Sequence, residues 1–182
     1  MNTSTASTTK WALDASHSEI HFKVRHLMIS TVTGTIGTFE GSAEGLEGNF
    51  EDAKVQFSAD MASITTGDAN RDGHLNSADF FDIANHPKMT FESTGFEKLD
   101  ENEYKMIGLL NIRGIANEVA LHVTNNGIAK DPWGNIKAGF SIDGKINRKD
   151  WDLNWNAALE TGGFLLNDEV RILCEVQLNQ AG

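Results

Sequence analysis

Residues 18–25 read SEIHFKVR, and apolar and polar side chains alternate along this stretch without a break. Ile20, Phe22 and Val24 fall on one face of an extended chain, because successive side chains of a strand point to opposite sides. The opposite face carries Glu19, His21, Lys23 and Arg25. The period of two predicts a half-buried β-strand, and the fold follows from how often this pattern returns.

The same alternation recurs along the rest of the chain. Its apolar positions are Val55, Phe57, Ala59 and Met61; Met89 and Phe91; Tyr104, Met106, Leu110 and Ile112; Val119, Leu121 and Val123; Ala138, Phe140, Ile142 and Ile146; and Val170, Ile172, Cys174, Val176 and Leu178. A weaker, glycine-rich segment lies at about residues 32–41. Together these segments predict about eight strands.

Strands that each bury one face, interrupted by one short helical stretch, are typical of an antiparallel sheet. No set of long helices covers this sheet, so it must form a sandwich or close into a barrel, and about eight strands suit a small up-and-down barrel. Glycines often mark bends and bulges, and several interrupt the strand patterns. They are Gly34, Gly37, Gly41, Gly108 and Gly139. We predict an all-β fold, an extended eight-stranded antiparallel β-barrel with a short helical insertion.

The chain has 182 residues and ordinary globular composition, which predicts one domain. We expect residues 1–10, a polar tract rich in Ser and Thr, to be a disordered tail, and residues 11–182 to form the barrel.

A net charge of −11 without a basic run argues against nucleic acid and against simple electrostatic docking on an anionic membrane. No run reaches the length of a membrane span, so we expect no stable membrane insertion.

Residues 68–79, DANRDGHLNSAD, repeat the spacing of an EF-hand calcium loop. However, a strand pattern precedes Asp68, and Asp79 stands where a glutamate is normal. We therefore expect Asp68, Asn70 and Asp72 to cap helical turns, or to pair with Arg71 and nearby histidines, and we predict no metal site.

The helical insertion is expected between about residue 65 and residue 86. Ser77 is a candidate N-cap for a short helix with Asp79 in its first turn. Phe80, Phe81 and Ile83 would form the apolar side of that helix.

No pattern in the sequence indicates a catalytic residue or a cofactor. The six histidines lack an HExxH spacing, and no serine lies in a GxSxG turn. Cys174 alternates with core residues and is predicted to be a small buried hydrophobe. The aromatic and methionine side chains of the inward faces either fill the barrel or surround one small ligand, and periodicity does not separate these alternatives.

From Trp11 to Leu178 the chain resembles the YceI-like proteins, a lipid- or polyisoprenoid-binding family. The matching stretches are residues 11–27 (WALDASHSEIHFKVRHL), 65–94 (TTGDANRDGHLNSADFFDIANHPKMTFEST), 107–115 (IGLLNIRGI), 139–151 (GFSIDGKINRKDW) and 158–176 (ALETGGFLLNDEVRILCEV). The resemblance implies a lipocalin-like barrel whose elongated apolar interior holds a long isoprenoid or fatty chain. Residues that match a family signature of structural character are Arg71, Asp72, His74, Leu75, Asp79, Phe80 and Phe81.

The chain departs from the family pattern in one turn and in its N-terminal segment. Arg148, Asp150 and Trp151 are followed by Asp152, where relatives usually have glycine. Many relatives carry an export signal, whereas MNTSTASTTK has no apolar region, so we expect a cytoplasmic location.

The resemblance, together with these observations, implies a soluble bacterial protein that binds and sequesters or carries a long-chain amphiphilic lipid of the isoprenoid class, a polyprenyl or quinone compound. The alternatives are an enzyme that uses the barrel as a hydrophobic active site, or a ligand-free structural protein. A homodimer is an expectation from the resemblance alone. The predicted ligand-binding residues are Phe22, Val24, Phe39, Val55, Phe57, Leu75, Phe80, Phe81, Met89, Phe91, Leu110, Ile112, Phe140 and Ile142. Leu75, Phe80 and Phe81 are alternatively a cover over one end.

Overall fold

The structure is a computed structural model and describes residues 9–46, 52–160 and 165–181. Its elements are β1 (Lys10–Leu13), β2 (Glu19–His26), β3 (Ser30–Ile36), β4 (Phe39–Glu44), β5 (Lys54–Asp60), β6 (Ile64–Thr65), α1 (Ala69–Asn76), β7 (Lys88–Asp100), β8 (Glu103–Ile112), β9 (Ile115–Lys130), β10 (Ile136–Asn147) and β11 (Leu166–Ala181). Most of the tail predicted at residues 1–10 lies outside the described residues, and Lys10 already belongs to β1.

Neighbouring strands are antiparallel, and the sheet closes because β1 pairs with both β4 and β11. Three pairs of short strands each act as one bent strand. β1 and β2 both pair with the same edge of β11. On their other side β1 pairs with β4 and β2 pairs with β3. In the next position around the barrel β4 pairs with β5 and β3 pairs with β6. The ring then contains these three bent strands and β7 to β11, which confirms the predicted eight-stranded antiparallel barrel.

The barrel wall is incomplete at one end. The pairing of β7 with β5 ends where Lys88 lies opposite Asp60. The short β6, which follows β5 in the chain, pairs with β3 and not with β7. Within the described ranges no strand fills the space between β6 and β7. The insertion that contains α1 connects these two strands and lies at this end, which we call the helix end.

The helix does not begin where the sequence pattern predicted. It spans Ala69–Asn76, because the Asp68 carboxylate accepts a hydrogen bond from the backbone N–H of Arg71 at 2.9 Å and caps its first turn. Ser77 ends the helix instead of starting one, and its hydroxyl donates to the His74 carbonyl at 2.6 Å. The prediction of a helix capped by Ser77 was therefore wrong, and Phe80 lies in the turns that follow α1, where it is buried.

Two of the glycines in the strand patterns have a specific structural reason. Gly34 lies opposite Phe22, and a methyl group at Gly34 would collide with the Phe22 ring, so the ring lies over the glycine. Gly139 precedes the irregularity where the register of β10 against β9 shifts. Closing the barrel thus uses glycine both to admit a ring and to bend a strand.

The buried side chains form two clusters inside the barrel. The larger contains Trp11 and Trp151, which are 2% and 1% exposed, and the smaller is built around Ile20, Met61 and Ile64. Throughout the ranges that the structure describes, no helix combines the length and the apolar character needed to cross a bilayer.

Candidate functional site

A cavity of about 550 Å³ runs through the barrel. Phe96, Val123 and Leu178 line it in the half that lies away from α1, and Asn70 and Leu75 of α1 line it at the helix end. This volume is within the range of sites that enclose small organic ligands. The inward side chains therefore surround an internal space as well as packing against one another.

Most of the predicted ligand-binding residues lie on the cavity wall. They are Phe22, Val24, Val55, Phe57, Leu75, Phe80, Phe81, Met89, Phe91, Leu110, Ile112, Phe140 and Ile142. Phe39 is not on the wall; it packs in the smaller cluster, with its ring centroid 6.0 Å from that of Phe57. Contact of any of these residues with a ligand stays a prediction.

Several wall residues were missing from the predicted set. Met106, Leu121 and Val176 have the same inward parity as their predicted neighbours, so the alternation already contained their signal. Leu153 and Trp155 also line the cavity, but they lie in an irregular segment after β10 where periodicity gives no orientation.

Charged and hydrogen-bonding side chains gather at the helix end of an otherwise largely apolar wall. Asn70, Arg71, His74 and Arg148 are among the residues that line it there. His74 Nε2 lies 2.9 Å from Asp79 Oδ2, and the His74 ring meets the Trp155 ring edge to face at a centroid distance of 4.6 Å. The cavity consequently has an apolar body and one polar end.

Arg148 is the most buried charge at this end, with 4% of its surface exposed. Its Nε donates to the carbonyl of Asn167 at 3.0 Å, and its Nη1 donates to the carbonyls of Leu153 and Trp155 at 2.5 and 2.8 Å. Nη2 lies 3.8 Å from Asp168 Oδ1 and has no hydrogen-bond partner among the described residues. Burial lowers the pKa of the guanidinium and the Asp168 carboxylate opposes that shift.

The loop with calcium-like spacing uses its carboxylates within the protein. Asp68 caps α1, and Asp72 accepts hydrogen bonds from the N–H and the hydroxyl of Thr66 at 2.8 and 2.6 Å. These hydrogen bonds from Thr66 are the main reason that the pKa of Asp72 is lowered. A search of the described ranges finds no cluster of three His, Cys, Asp or Glu residues that fits a metal ion.

Cys174 lines the cavity, and burial raises the pKa of its thiol to about 12. A thiolate is the reactive form, so the thiol of the folded protein is expected to react with iodoacetamide far more slowly than the thiol of a short peptide at pH 8. Mass spectrometry of timed samples measures this rate, with urea-unfolded protein as the control. Equal rates in the folded and unfolded protein would contradict the position of the half-buried Cys174 on the apolar cavity wall.

Comparison with known proteins identifies the fold and its relatives. The family model described as the YceI-like domain matches residues 11–178. A UPF0312 protein of Staphylococcus aureus strain N315 is 38% identical over 164 residues, which cover 90% of this chain and 93% of that protein. The corresponding protein of strain MSSA476 is 37% identical over the same length.

Solved structures share the barrel. The YceI protein of Campylobacter jejuni superposes with a TM-score of 0.72 at 29% identity, covering 88% of this chain and 91% of that one. BcnA of Burkholderia cenocepacia gives a TM-score of 0.78 at 22% identity, covering 91% and 98%. A polyisoprenoid-binding domain from Saccharophagus degradans, implicated in plant cell wall breakdown, gives 0.72 at 14% identity, covering 94% and 98%.

Proposed function

The chain belongs to the YceI-like family, and from this premise we propose that it encloses a long-chain amphiphilic lipid in the barrel and sequesters or carries it. The ligand class is an isoprenoid of polyprenyl or quinone type. Binding without catalysis is proposed, and the expected cytoplasmic location and homodimer stay predictions.

The observation that supports this function is the cavity of about 550 Å³ with its largely apolar wall. Transferring one methylene from water to such a wall contributes about 0.8 kcal/mol, so about twelve methylenes contribute roughly 10 kcal/mol. After the entropy of association is subtracted, micromolar affinity or better is the expected order. A long apolar chain is therefore the ligand that gains most from this interior.

The polar end of the cavity favours one orientation of the lipid. We infer that the hydrocarbon chain of the lipid lies along the apolar body of the cavity. The polar head of the lipid then lies near Asn70, Arg71, His74 and Arg148. Arg148 Nη2 is an N–H donor group in a buried position, and a carbonyl or phosphate oxygen of the head is a suitable acceptor. The fold shared with the polyisoprenoid-binding domain of S. degradans is consistent with an isoprenoid chain.

The first experiment is native mass spectrometry of gently purified protein, followed by organic extraction. A stoichiometric long-chain adduct is expected, and the extract would identify its head group. If no adduct is found and the protein takes up neither added quinone nor added polyprenol, the interior is filled and the proposal is wrong.

Charged substitutions inside the barrel test the site. Phe57→Glu and Ile142→Glu place a carboxylate on the wall at positions that are only half-buried, so folding is expected to survive. Lipid retention should fall at least about tenfold, because a charge loses hydration beside an apolar chain. Retention is measured by extraction from equal amounts of folded protein.

A matched control uses an apolar residue on the outer face. Leu109→Glu introduces the same charge at a side chain that is 44% exposed, next to the wall residue Leu110, and should leave retention unchanged. Normal retention in both inner variants, with circular dichroism matching the parent protein, would remove Phe57 and Ile142 from the site.

A further inference from the structure

The turn between β2 and β3 presents three apolar side chains to solvent at the helix end. Leu27, Met28 and Ile29 are 36%, 73% and 78% exposed, and together they form what we call the apolar turn. Since His26 pairs with Ser30, these three residues project beyond the last paired positions of the two strands. Burial within the barrel does not account for their apolar character.

The backbone of the apolar turn is also unfavourable for these residue types. Leu27 and Met28 have φ of 55° and 59°, a region that most residues with a Cβ enter at a cost, that Gly enters freely and that Asn tolerates better than Leu or Met. Arg25 supports this shape, because its Nη2 donates to the Met28 carbonyl at 3.0 Å and its Nη1 donates to Thr31 Oγ1 at 3.3 Å. The hydrogen bonds of Arg25 thus hold the backbone of Leu27 and Met28 in an unfavourable conformation. Backbone strain that is maintained at an exposed site points to a function for the side chains there.

A band of positive charge lies on the outer wall behind the apolar turn. Lys23 pairs in register with Arg171, and Arg171 pairs with Lys145, so three cations occupy one row across β2, β11 and β10. With Arg25, these residues form what we call the basic band. Like charges directly opposite one another destabilise a sheet, and Glu169 at 3.9 Å from Lys145 is the ion-pair partner that the structure gives this row.

The apolar turn and the basic band adjoin the polar end of the cavity. Val24, His26 and Val32 of the same hairpin line the cavity, and so does Leu165, whose carbonyl accepts a hydrogen bond from Leu27 N–H at 2.8 Å. The wall between β6 and β7 is incomplete at this end. A surface in contact with the turn would therefore lie beside the cavity opening.

We propose that the helix end docks on a bilayer that contains anionic phospholipid, with the apolar turn among the acyl chains and the basic band at the level of the phosphates. Lys23 lies three residues before His26, which at about 3.3 Å per residue places the row of Lys23, Arg171 and Lys145 about 10 Å behind the turn, while Arg25 lies next to the turn. That spacing matches the depth to which interfacial segments enter the boundary between headgroups and acyl chains. The net charge of −11 and the carboxylates of Asp68, Asp79 and Asp168 at the same end oppose such docking, so the basic band has to be the part of the helix end that faces the phosphates.

The role of this contact would be to deliver a membrane lipid to the adjacent cavity, and that role rests on the proposed function. The membrane contact itself does not depend on it. Vesicle flotation tests it with the full chain and vesicles of phosphatidylcholine, with or without phosphatidylglycerol. The parent protein is expected to float with the mixed vesicles and to bind pure phosphatidylcholine more weakly, because cations near an anionic surface add to apolar insertion.

Replacing the apolar turn separates docking from folding. In the triple variant Leu27→Asn, Met28→Gly, Ile29→Ser, the first two changes introduce residues that tolerate the observed φ, so the melting temperature should stay the same or rise. Flotation should fall by about tenfold or more on both vesicle types, since the inserted apolar surface is lost. Undiminished flotation of this folded variant would overturn the proposal.

A second variant tests the basic band. The double variant Lys23→Gln, Arg171→Gln should bind mixed vesicles roughly tenfold or more weakly than the parent protein. Its binding to phosphatidylcholine vesicles should change little. The control Trp133→Ser removes the most exposed tryptophan, in the β9–β10 turn at the other end of the barrel, and should float like the parent. Loss of flotation in that control, or a changed oligomeric state of the triple variant, would assign the binding to another cause.

Uptake of quinone added from ethanol, without vesicles, distinguishes the two proposals. Normal uptake by all variants together with unchanged flotation refutes docking and leaves the proposed function intact. Absence of uptake by every variant and by the parent, with normal flotation, refutes the lipid-carrier function and leaves the membrane contact.

Discussion

Trp151→Ala is expected to lower the free energy of unfolding by about 3–5 kcal/mol. Trp151 is 1% exposed, lies in the larger core cluster, and donates from Nε1 to the Leu110 carbonyl at 2.9 Å. Alanine removes the indole from a packed interior and leaves that buried carbonyl without its donor. Urea unfolding followed by circular dichroism measures the change.

Trp133→Ala is the matched control for this prediction. Trp133 is 83% exposed, so its removal should change the free energy of unfolding by no more than about 0.5 kcal/mol. Similar midpoints for the two variants would mean that the segment containing Trp151 is not packed as the structure has it. Leu110 lines the cavity, so a loss of lipid retention is expected to accompany the loss of stability at Trp151.

Arg148→Met is expected to lower the free energy of unfolding by about 3–5 kcal/mol. The guanidinium donates to three carbonyls, those of Asn167, Leu153 and Trp155, and thereby joins the start of β11 to the segment after β10. Methionine has similar length but no donor, so three carbonyls lose their partner. Arg148→Lys should recover little of this, because an ammonium group cannot reproduce the planar arrangement of donors.

Arg171→Met provides the control, since it makes the same substitution on the exposed face of β11. Its unfolding midpoint should lie close to that of the parent protein or slightly above it, because the substitution removes a cation that stands between Lys23 and Lys145. A small effect of Arg148→Met, comparable with that control, would show that the three carbonyls find other donors and that Arg148 does not hold this segment together.

The sequence by itself determined the strands and limited the architecture to a sandwich or a barrel, of which the strand number favoured the barrel. The alternation of apolar and polar residues around Ile20, Phe22 and Val24 is a local property. Successive side chains of an extended backbone point to opposite faces, independently of the neighbouring strands. An apolar face on every strand, with no helical layer to cover those faces, requires either two packed sheets or one closed sheet, and the pairing of β1 with both β4 and β11 shows that the sheet closes. For the same reason most wall residues were predictable from parity alone.

Only the tertiary structure decided which side chains form the polar end of the cavity and where charge concentrates. The cap of α1 is not among these outcomes: Asp68, which the sequence had offered as a cap, accepts a hydrogen bond from the N–H of Arg71 three residues on, and only the choice of Ser77 was wrong. Trp155 reaches the wall from an irregular segment, and Arg148 is held by carbonyls of Leu153, Trp155 and Asn167. These outcomes depend on contacts between distant segments, which leave no period in the sequence.

The basic band illustrates the same division. Lys23, Lys145 and Arg171 are far apart along the chain, and each is an ordinary outward position of its own strand. They become neighbours because β11 pairs with β2 on one side and with β10 on the other in one particular register. Alternation within a strand determines which face a side chain occupies, whereas register between strands, set by closure of the whole barrel, determines what it stands beside.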